Sequence, residues 1–414
     1  MTAEYRAMAK SFFENGMYDT SYLYYAVKIA FLVSFLSATV WLTLNGFTEG
    51  LWAAVPGFTL ALFWHQAAFV VHDALHNGIT HSLKTDHLIG WLFGSVGIAI
   101  PAIWWADNHH MHHAVTNVVH RSGEAETEVA SDAGSEADDE SSDDARPVAK
   151  QAKPGLSRRQ TAGAARAAQE KEMMSTEKPP FDQPAHWNGG SAWHGDPQMI
   201  YTPIWFTDRT LFRNFTMPTI AGIPLGKILL SIQHITFLPL HLIVGRWNIY
   251  VLGAINVLMI GSLFEILGLV LYWAWFIKLA SYFTATSTGL AAFLLVSHTL
   301  AGTMHLQLNL THFAQPMLPP KMYEEYGFVK AQLLTSRNID ANVLTHWFHG
   351  GLEFQNEHHL FPMVPRHNLG RLSALVRPFC DKHNIPYQSM GFFQAIFHIL
   401  GDLRSIASDP LGDN

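Results

Sequence analysis

The 414-residue chain has one cysteine, Cys380. A lone thiol excludes a disulfide scaffold and any multi-thiolate metal site, iron–sulfur clusters included. Charge is also scarce. Lys, Arg, Asp and Glu make up 14% of the residues, against roughly 25% in typical soluble domains. The net charge is −7, and with no basic stripe nucleic acid is not an expected partner. Residues 1–25 lack the compact apolar core and small-residue cleavage site of a secretory signal. The first apolar segment therefore reads as an uncleaved anchor. What the chain does have is 24 histidines on a background that is 49% hydrophobic.

Four apolar runs approach or exceed the roughly 20 residues needed to cross a bilayer core. They cover residues 26–44, 51–71, 249–277 and 282–304. Buried core helices of a large soluble protein are the bland alternative, but four such runs are hard to cover with protein. Two shorter runs, 89–105 and 224–244, are interrupted by Gly90, Gly94, Gly97 and Pro101, and by Gln233, His234, Pro239 and His241. Both read as interfacial or re-entrant.

The texture changes at His120. Residues 123–145 carry ten acids and no Lys or Arg, residues 146–178 turn basic, and aromatics are absent from 125–180. Such a stretch buries too little apolar surface to offset its ordering entropy, so residues 120–193 are expected to be a disordered insertion. Ser141 and Ser142, set among acids, are candidate phosphorylation sites. The expected organisation is a first part, 1–119, with two spans, then the insertion, then a second part, 194–414, with two more.

Three histidine clusters remain. His72 and His76 stand four apart at the end of the second span. His109, His112 and His113 follow the 89–105 run. Gln355, His358 and His359 repeat that spacing near the C-terminus. Residues at i, i+3 and i+4 share one helix face, so each cluster converges on a point. One such histidine is more often a hydrogen-bonded core residue; three clusters point to metal. Seven imidazoles exceed the four ligands of one tetrahedral zinc. Nitrogen donors suit iron, so a paired non-haem iron centre fits best. No pair of Glu-x-x-His motifs is placed for a carboxylate-bridged centre, and no haem-attachment motif is present.

If the N-terminus is cytosolic, two hairpins of spans return all seven histidines to the cytosolic face, provided 89–105 does not cross. The basic residues Lys150 to Lys178, Lys321, Lys330, Arg337, Arg366 and Arg371 agree with the positive-inside tendency. The expected fold is thus an all-α integral membrane protein, with four transmembrane helices and a cytosolic helical cap holding a histidine-ligated di-iron centre. Such a centre with O₂ attacks unactivated methylenes, which acid–base side chains cannot do. A lipid chain is the fitting substrate.

These residues resemble the membrane-bound fatty-acid desaturase and hydroxylase superfamily, and its front-end desaturases most closely. The first motif is His72-Asp73-Ala74-Leu75-His76, with Gln66 six residues upstream. The second is His109, His112 and His113, preceded by Trp104-Trp105. The third has glutamine, Gln355, in place of its first histidine, as front-end enzymes do. Trp347-Phe348-His349-Gly350-Gly351-Leu352 and Pro365-Arg366-His367-Asn368-Leu369 flank it as in the family. The resemblance covers residues 5–119 and 194–405, and places the insertion between Thr116-Asn117 and Asp196-Pro197. It implies metal ligands at His72, His76, His109, His112, His113, His312, Gln355, His358 and His359, and no catalytic group beyond them. Asn309 would hold a water near one iron. His305 and His349 rank lower as ligands, and His81, His87 and His110 read as neighbours of the site. His346 replaces the aspartate common before Trp347, which would alter hydrogen bonding around the metal.

The resemblance further implies two non-haem irons, O₂ as co-substrate, and cytochrome b5 with its reductase as electron donors. It also implies a multi-pass endoplasmic reticulum protein with the metal site on the cytosolic side. Front-end enzymes usually carry an N-terminal cytochrome b5 domain. This chain starts about where that domain would end, so the donor is expected to be separate or the sequence incomplete. Tyr5-Arg6-Ala7, Gly16-Met17-Tyr18, Gln233-His234, Pro239, Arg246 and Asn248-Ile249-Tyr250 look most like sphingolipid Δ8-desaturases. The expected reaction is a Δ8 double bond in the sphingoid base of ceramide. An acyl Δ5, Δ6 or Δ8 desaturase is the alternative, ahead of a hydroxylase or a histidine-rich metal transporter, whose histidines would sit within the spans.

Overall fold

The computed structural model describes residues 1–118, 219–220 and 223–408, which belong to one compact unit. The insertion expected at 120–193, with Ser141 and Ser142, lies outside the described residues. The described chain is mainly helical. Its first half comprises α1 (Thr2–Glu14), α2 (Tyr22–Leu44), α3 (Ala54–Leu75), α4 (Leu83–Gly90, continued as a π-helix over Trp91–Ile98) and α5 (Ala102–Ala114). The second half begins with a two-stranded ribbon, β1 (Thr219–Ile220) and β2 (Ile223–Pro224). Then come α6 (Leu225–Pro239), a π-helical turn (Leu240–Val244), α7 (Gly245–Ile260), α8 (Leu263–Ser281) and α9 (Ser287–Leu310). A cap follows, of α10 (Pro320–Thr335), α11 (Val343–His349), α12 (Gln355–Leu360), α13 (Leu369–Lys382) and α14 (Phe392–Ser408). It also holds β3 (Asn338–Asp340) paired in parallel with β4 (Ser389–Gly391).

Among the described residues, five helices are long and apolar enough to cross a membrane: Tyr22–Leu44, Gly50–Leu75, Ile228–Ile260, Leu263–Ser281 and Ser287–Leu310. Their starts follow local chemistry. The side chains of Ser21, Ser262 and Thr286 accept from the backbone N–H groups of Tyr24, Glu265 and Gly289, capping α2, α8 and α9. Helix α2 turns Leu23, Val27, Phe31 and Trp41 outward, all exposed. Helix α3 differs: every side chain from Phe63 to His76 is buried. A helix apolar all round belongs inside a bundle, and α3 lies between α2 and α9. Gly57 makes that packing possible, because a Cβ there would lie 2.9 Å from the Phe293 carbonyl oxygen.

Two expectations need correction. The run 249–277 is not one helix. It breaks at Gly261, whose φ of +68° is left-handed, and restarts under the Ser262 cap. An all-apolar window does not register a single glycine. The run 224–244 is not a separate interfacial piece either. It joins α7 in a continuous helical segment, Ile228–Ile260. Pro239 ends α6, and the next turn, Leu240–Val244, is a π-helix that carries the segment on into α7. The run 89–105 bends sharply. Leu83–Ile98 and Ala102–Ala114 meet at 109°, across the left-handed Ala99 (φ +53°) and Pro101.

The tip of that bend is held by Glu265, a buried carboxylate on α8. It accepts from the Ser95 hydroxyl at 2.6 Å and from the backbone N–H groups of Ala102 and Ile103 at 3.3 and 3.1 Å. A carboxylate at a helix N-terminus satisfies donors the helix itself leaves unpaired and complements its dipole. Helix α5 is therefore fixed in position from α8. Replacing Glu265 by alanine strands these donors and should cost about 3 kcal/mol. The expected outcome is a lower unfolding temperature in detergent for Glu265→Ala, with Glu265→Gln intermediate.

Candidate metal centre

The three clusters meet. His72 and His76 come from the end of α3, His109, His112 and His113 from α5, and His358 and His359 from α12; all seven are buried. His312, just after α9, joins them. Ligand-competent atoms of His72, His76, His109 and His358 all lie within 4.8 Å of one another, and so do those of His112, His312 and His359. His113 stands between the groups, its ring 4.6 Å from that of His358 and 4.2 Å from that of His359. Gln355 adjoins the second group. Its Nε2 lies 2.9 Å from His312 Nε2 and 3.0 Å from His359 Nε2.

The outer nitrogens decide which way the rings face. His312 Nδ1 is 3.1 Å from the Thr335 carbonyl oxygen. His359 Nδ1 is 2.8 Å from Gln332 Oε1. The orientation of that amide is set by its Nε2, which donates to the His113 carbonyl at 2.7 Å. His72 Nδ1 is 3.3 Å from Asp73 Oδ1. The Thr335 and Gln332 oxygens only accept, so Nδ1 of His312 and of His359 carries the hydrogen and their Nε2 atoms keep a lone pair for the interior, whereas His72 Nδ1 lies between Asp73 Oδ1 and Arg366 Nη2, the latter 3.0 Å away. His72, His76 and His358 have Nε2 atoms buried without a partner, and Gln355 Oε1 is likewise unpartnered. Burial, reinforced by neighbouring imidazoles and cations, holds His312, His358 and His359 well below the usual histidine range. Buried, neutral imidazoles with inward lone pairs fit divalent transition-metal ions.

The surrounding shell includes residues whose roles no local spacing reveals. Arg366 donates to both Asp73 oxygens and to the Gly350 and Phe69 carbonyls. It thereby ties the first motif to the C-terminal signature. Tyr25 donates to the same carboxylate at 2.8 Å. The Thr116 hydroxyl lies within hydrogen-bond distance of Gln332 Oε1 and His359 Nδ1. Trp105 stacks on His109, with ring centroids 4.2 Å apart, and its indole walls off that side. The signal for Arg366, Thr116 and Gln332 was thin: the first two lie in motifs, but nothing local marks Gln332.

Other histidines lie elsewhere. His110 bonds the Leu75 carbonyl and His81 the Tyr18 carbonyl. His349 pairs with Gln307, which also bonds His65. His305 packs beside Gly245. Asn309 meets His241 at 2.5 Å. His346 bonds Glu353, which also accepts from the Gly351 N–H, and none of its bonds goes to the clustered histidines. Glu357 is directed away from them, toward Asn338 and Tyr387.

Comparison with known proteins bears directly on this arrangement. The fatty acid desaturase family profile matches residues 186–391. Over that segment the chain is similar to the fatty acid desaturase family. Curated relatives include the Δ8-(E)-sphingolipid desaturases of Emericella nidulans and Komagataella phaffii. The first is 26% identical over 97% of this chain and 62% of the relative, and the second is 25% identical over 99% and 63%. The Δ(8)-fatty-acid desaturase 2 of Arabidopsis thaliana is 24% identical over 98% of this chain and 75% of its own. The chain thus spans about three-fifths of the length of the fungal relatives. No solved structure matches it.

Two outcomes test this site. Asp73→Asn keeps the volume but removes the charge facing His72 and Arg366, so metal affinity should fall by about 10- to 100-fold in chelator competition, and the unfolding temperature should fall with it because the buried Arg366 guanidinium loses its counter-charge. The Glu353 carboxylate holds the His346 imidazole above the usual histidine range. That pair supports folding at low pH, and the contribution fades as pH rises through the raised value. Thermal stability scanned from about pH 5 to pH 9 should show this decline, and His346→Gln should flatten it.

Proposed function

We propose that the protein is an O₂-dependent front-end desaturase that introduces a Δ8 double bond into the sphingoid base of ceramide. The observation that carries this reading is the convergence of two buried histidine groups at the ends of apolar helices. The names of the fungal relatives supply the substrate class. His72, His76, His109 and His358 would hold one non-haem iron, and His112, His312 and His359 the other, with His113 and Gln355 beside them. The paired irons would supply, with O₂, the oxidant that removes hydrogen from an unactivated methylene.

The protein's own contribution is orientation and exclusion. Thr335 and Gln332 hold the His312 and His359 rings by their Nδ1–H groups, which fixes tautomer and angle together, and Asp73 with Arg366 flanks Nδ1 of His72. Arg366 keeps Asp73 aimed. Trp105 and the buried wall of α3 keep water from the reacting methylene.

In this reading α2, α3, α8 and α9 cross the membrane from a cytosolic N-terminus, and the segment 228–260 enters without crossing. Parity supports it. Helices α3 and α9 both end at the histidines, so α8, antiparallel to α9, starts on that side. Parts 1–119 and 194–414 form the enzyme body, with 120–193 an insertion between them in the sequence. Cytochrome b5 and its reductase donate electrons on the cytosolic face of the endoplasmic reticulum. The acyl Δ8 desaturase is the second reading, favoured by the name of the Arabidopsis thaliana relative.

Expression in a host lacking the activity, with and without cytochrome b5, tests both. Double bonds located by mass spectrometry should appear at position 8 of sphingoid bases. They should vanish in His112→Ala while the protein still accumulates. Unchanged lipids under both conditions, with iron-loaded protein present, would overturn the reading.

A further inference from the structure

The cap carries large apolar side chains on its outside. Val343 and Leu344, at the start of α11, are 86% and 81% exposed, and Phe393 and Phe397 on α14 are 71% and 70% exposed. The two sets are neighbours. Strands β3 and β4 pair in parallel, with Asp340 opposite Gly391, and α11 and α14 leave from their ends. Phe392 then rests against Phe348 and His349, with ring centroids 6.4 and 5.4 Å apart. The opposite face of α14 is apolar as well. Its Ala395, Ile396, Ile399 and Leu403 share a core with Phe237, Leu306, Leu310 and Phe313. The first turns of α14 are thus apolar on both faces, a pattern that does not suit water. Exposed apolar residues gathered in one place mark a contact surface.

The bonds of α11 give the depth of this edge. A helix leaves its last carbonyls unpaired, and two glutamines from the apolar helices take those of α11. Gln66 Nε2 donates to the Trp347 carbonyl and Gln307 Nε2 to the Phe348 carbonyl, each at 3.2 Å. Gln66 precedes His72 by six residues, so α11 meets α3 about 9 Å short of the His72 level, on the membrane side. The Trp347 ring lies 6.5 Å from that of Phe35 on α2, and Phe35 stacks on the exposed Phe31 at 6.3 Å. On the other flank, Gln233 of α6 donates to the Leu403 carbonyl at 2.9 Å, and Ile232 and Ile235 beside it are exposed. The cap edge therefore adjoins the exposed apolar side chains of α2 on one side and of α6 on the other.

We propose that this edge of the cap enters the bilayer, with Val343, Leu344, Phe393 and Phe397 seated among the acyl chains of the leaflet nearest the histidines. This rests on α2, α3 and α9 crossing the membrane, not on the reaction, and adds a lipid contact made by the cap itself. The partner is a lipid surface, because the edge continues the surface that the spans present to lipid. Short helices with apolar outer faces settle at that boundary, and tryptophan, here Trp347, is enriched there. Asp340 marks the rim. Its carboxylate accepts from the Ser389 hydroxyl at 2.5 Å, which suits the headgroup level and not the hydrocarbon centre. Gln66 and Gln307 gain a role in this arrangement: they hold α11 against the spans at the depth of the leaflet.

The test uses the full chain in lipid nanodiscs, with one spin label per variant. Cys380 is buried, and wild type treated with the label gives the background. Leu344→Cys and Phe397→Cys report on the edge, Phe31→Cys on α2 is the lipid reference, and Glu325→Cys on α10 is the aqueous one. Collisions of each label with O₂, which concentrates in lipid, are compared with those of a water-soluble nickel chelate. The ratio of oxygen to nickel access at Leu344→Cys and Phe397→Cys should shift to that of Phe31→Cys and away from that of Glu325→Cys. A ratio like that of Glu325→Cys at both edge positions overturns the proposal. So does shielding from both reagents, which would mean that protein covers the edge, whether this chain or a second copy. Val343→Cys and Phe393→Cys replace any edge variant that does not accumulate. A water-like ratio at Phe31→Cys defeats the placement of the spans, and this inference with it.

Discussion

An imidazole offers a metal one lone pair, and only when its other nitrogen keeps the hydrogen. The structure depends on enforcing that condition at several rings at once, in a space from which water is excluded. A carbonyl and an amide oxygen placed behind the rings do it at two of them: Thr335 lies behind His312 and Gln332 behind His359, while Asp73 and Arg366 together hold His72. Without those acceptors the rings would be free to turn, and a cluster of buried histidines would have no common focus.

The constraint reaches far into the fold. Gln332 is oriented by the His113 carbonyl, so the second motif fixes the partner of the third. Asp73 is gripped by Arg366, nearly three hundred residues later. Helix α5, bearing three of the histidines, is aimed from its opposite end by Glu265 on α8. The centre is thus assembled from both halves of the chain, and none of its parts is held by local sequence alone.

That division explains what was legible in the sequence. The three motifs were readable because helical spacing is a local property, and His312 followed from resemblance. The membrane character was readable because apolar composition needs no partner to be recognised. The helix break at Gly261 was missed because one left-handed residue leaves mean hydropathy almost unchanged. The join of α6 to α7 was missed because Pro239 signals an end, while a π-turn that carries the segment on leaves no compositional trace. Gln332 reaches back to His113 and Glu265 to Ala102 across more than a hundred residues, which no window along the chain contains. His346 stood out against the family pattern, yet its bond goes to Glu353 rather than to the histidines.

Gly57 has a mechanical consequence. It sits where α3 and α9 touch backbone to backbone, fifteen residues before His72, or about 22 Å along the helix axis. Two rods pressed together at one end and sharing a load at the other behave as tongs. A wedge at the pivot opens the jaws, and here the jaws carry His72 and His76 on one arm and His312 on the other. The spacing between the two histidine groups is therefore gauged at the far end of the bundle, by the smallest residue the chain has to offer.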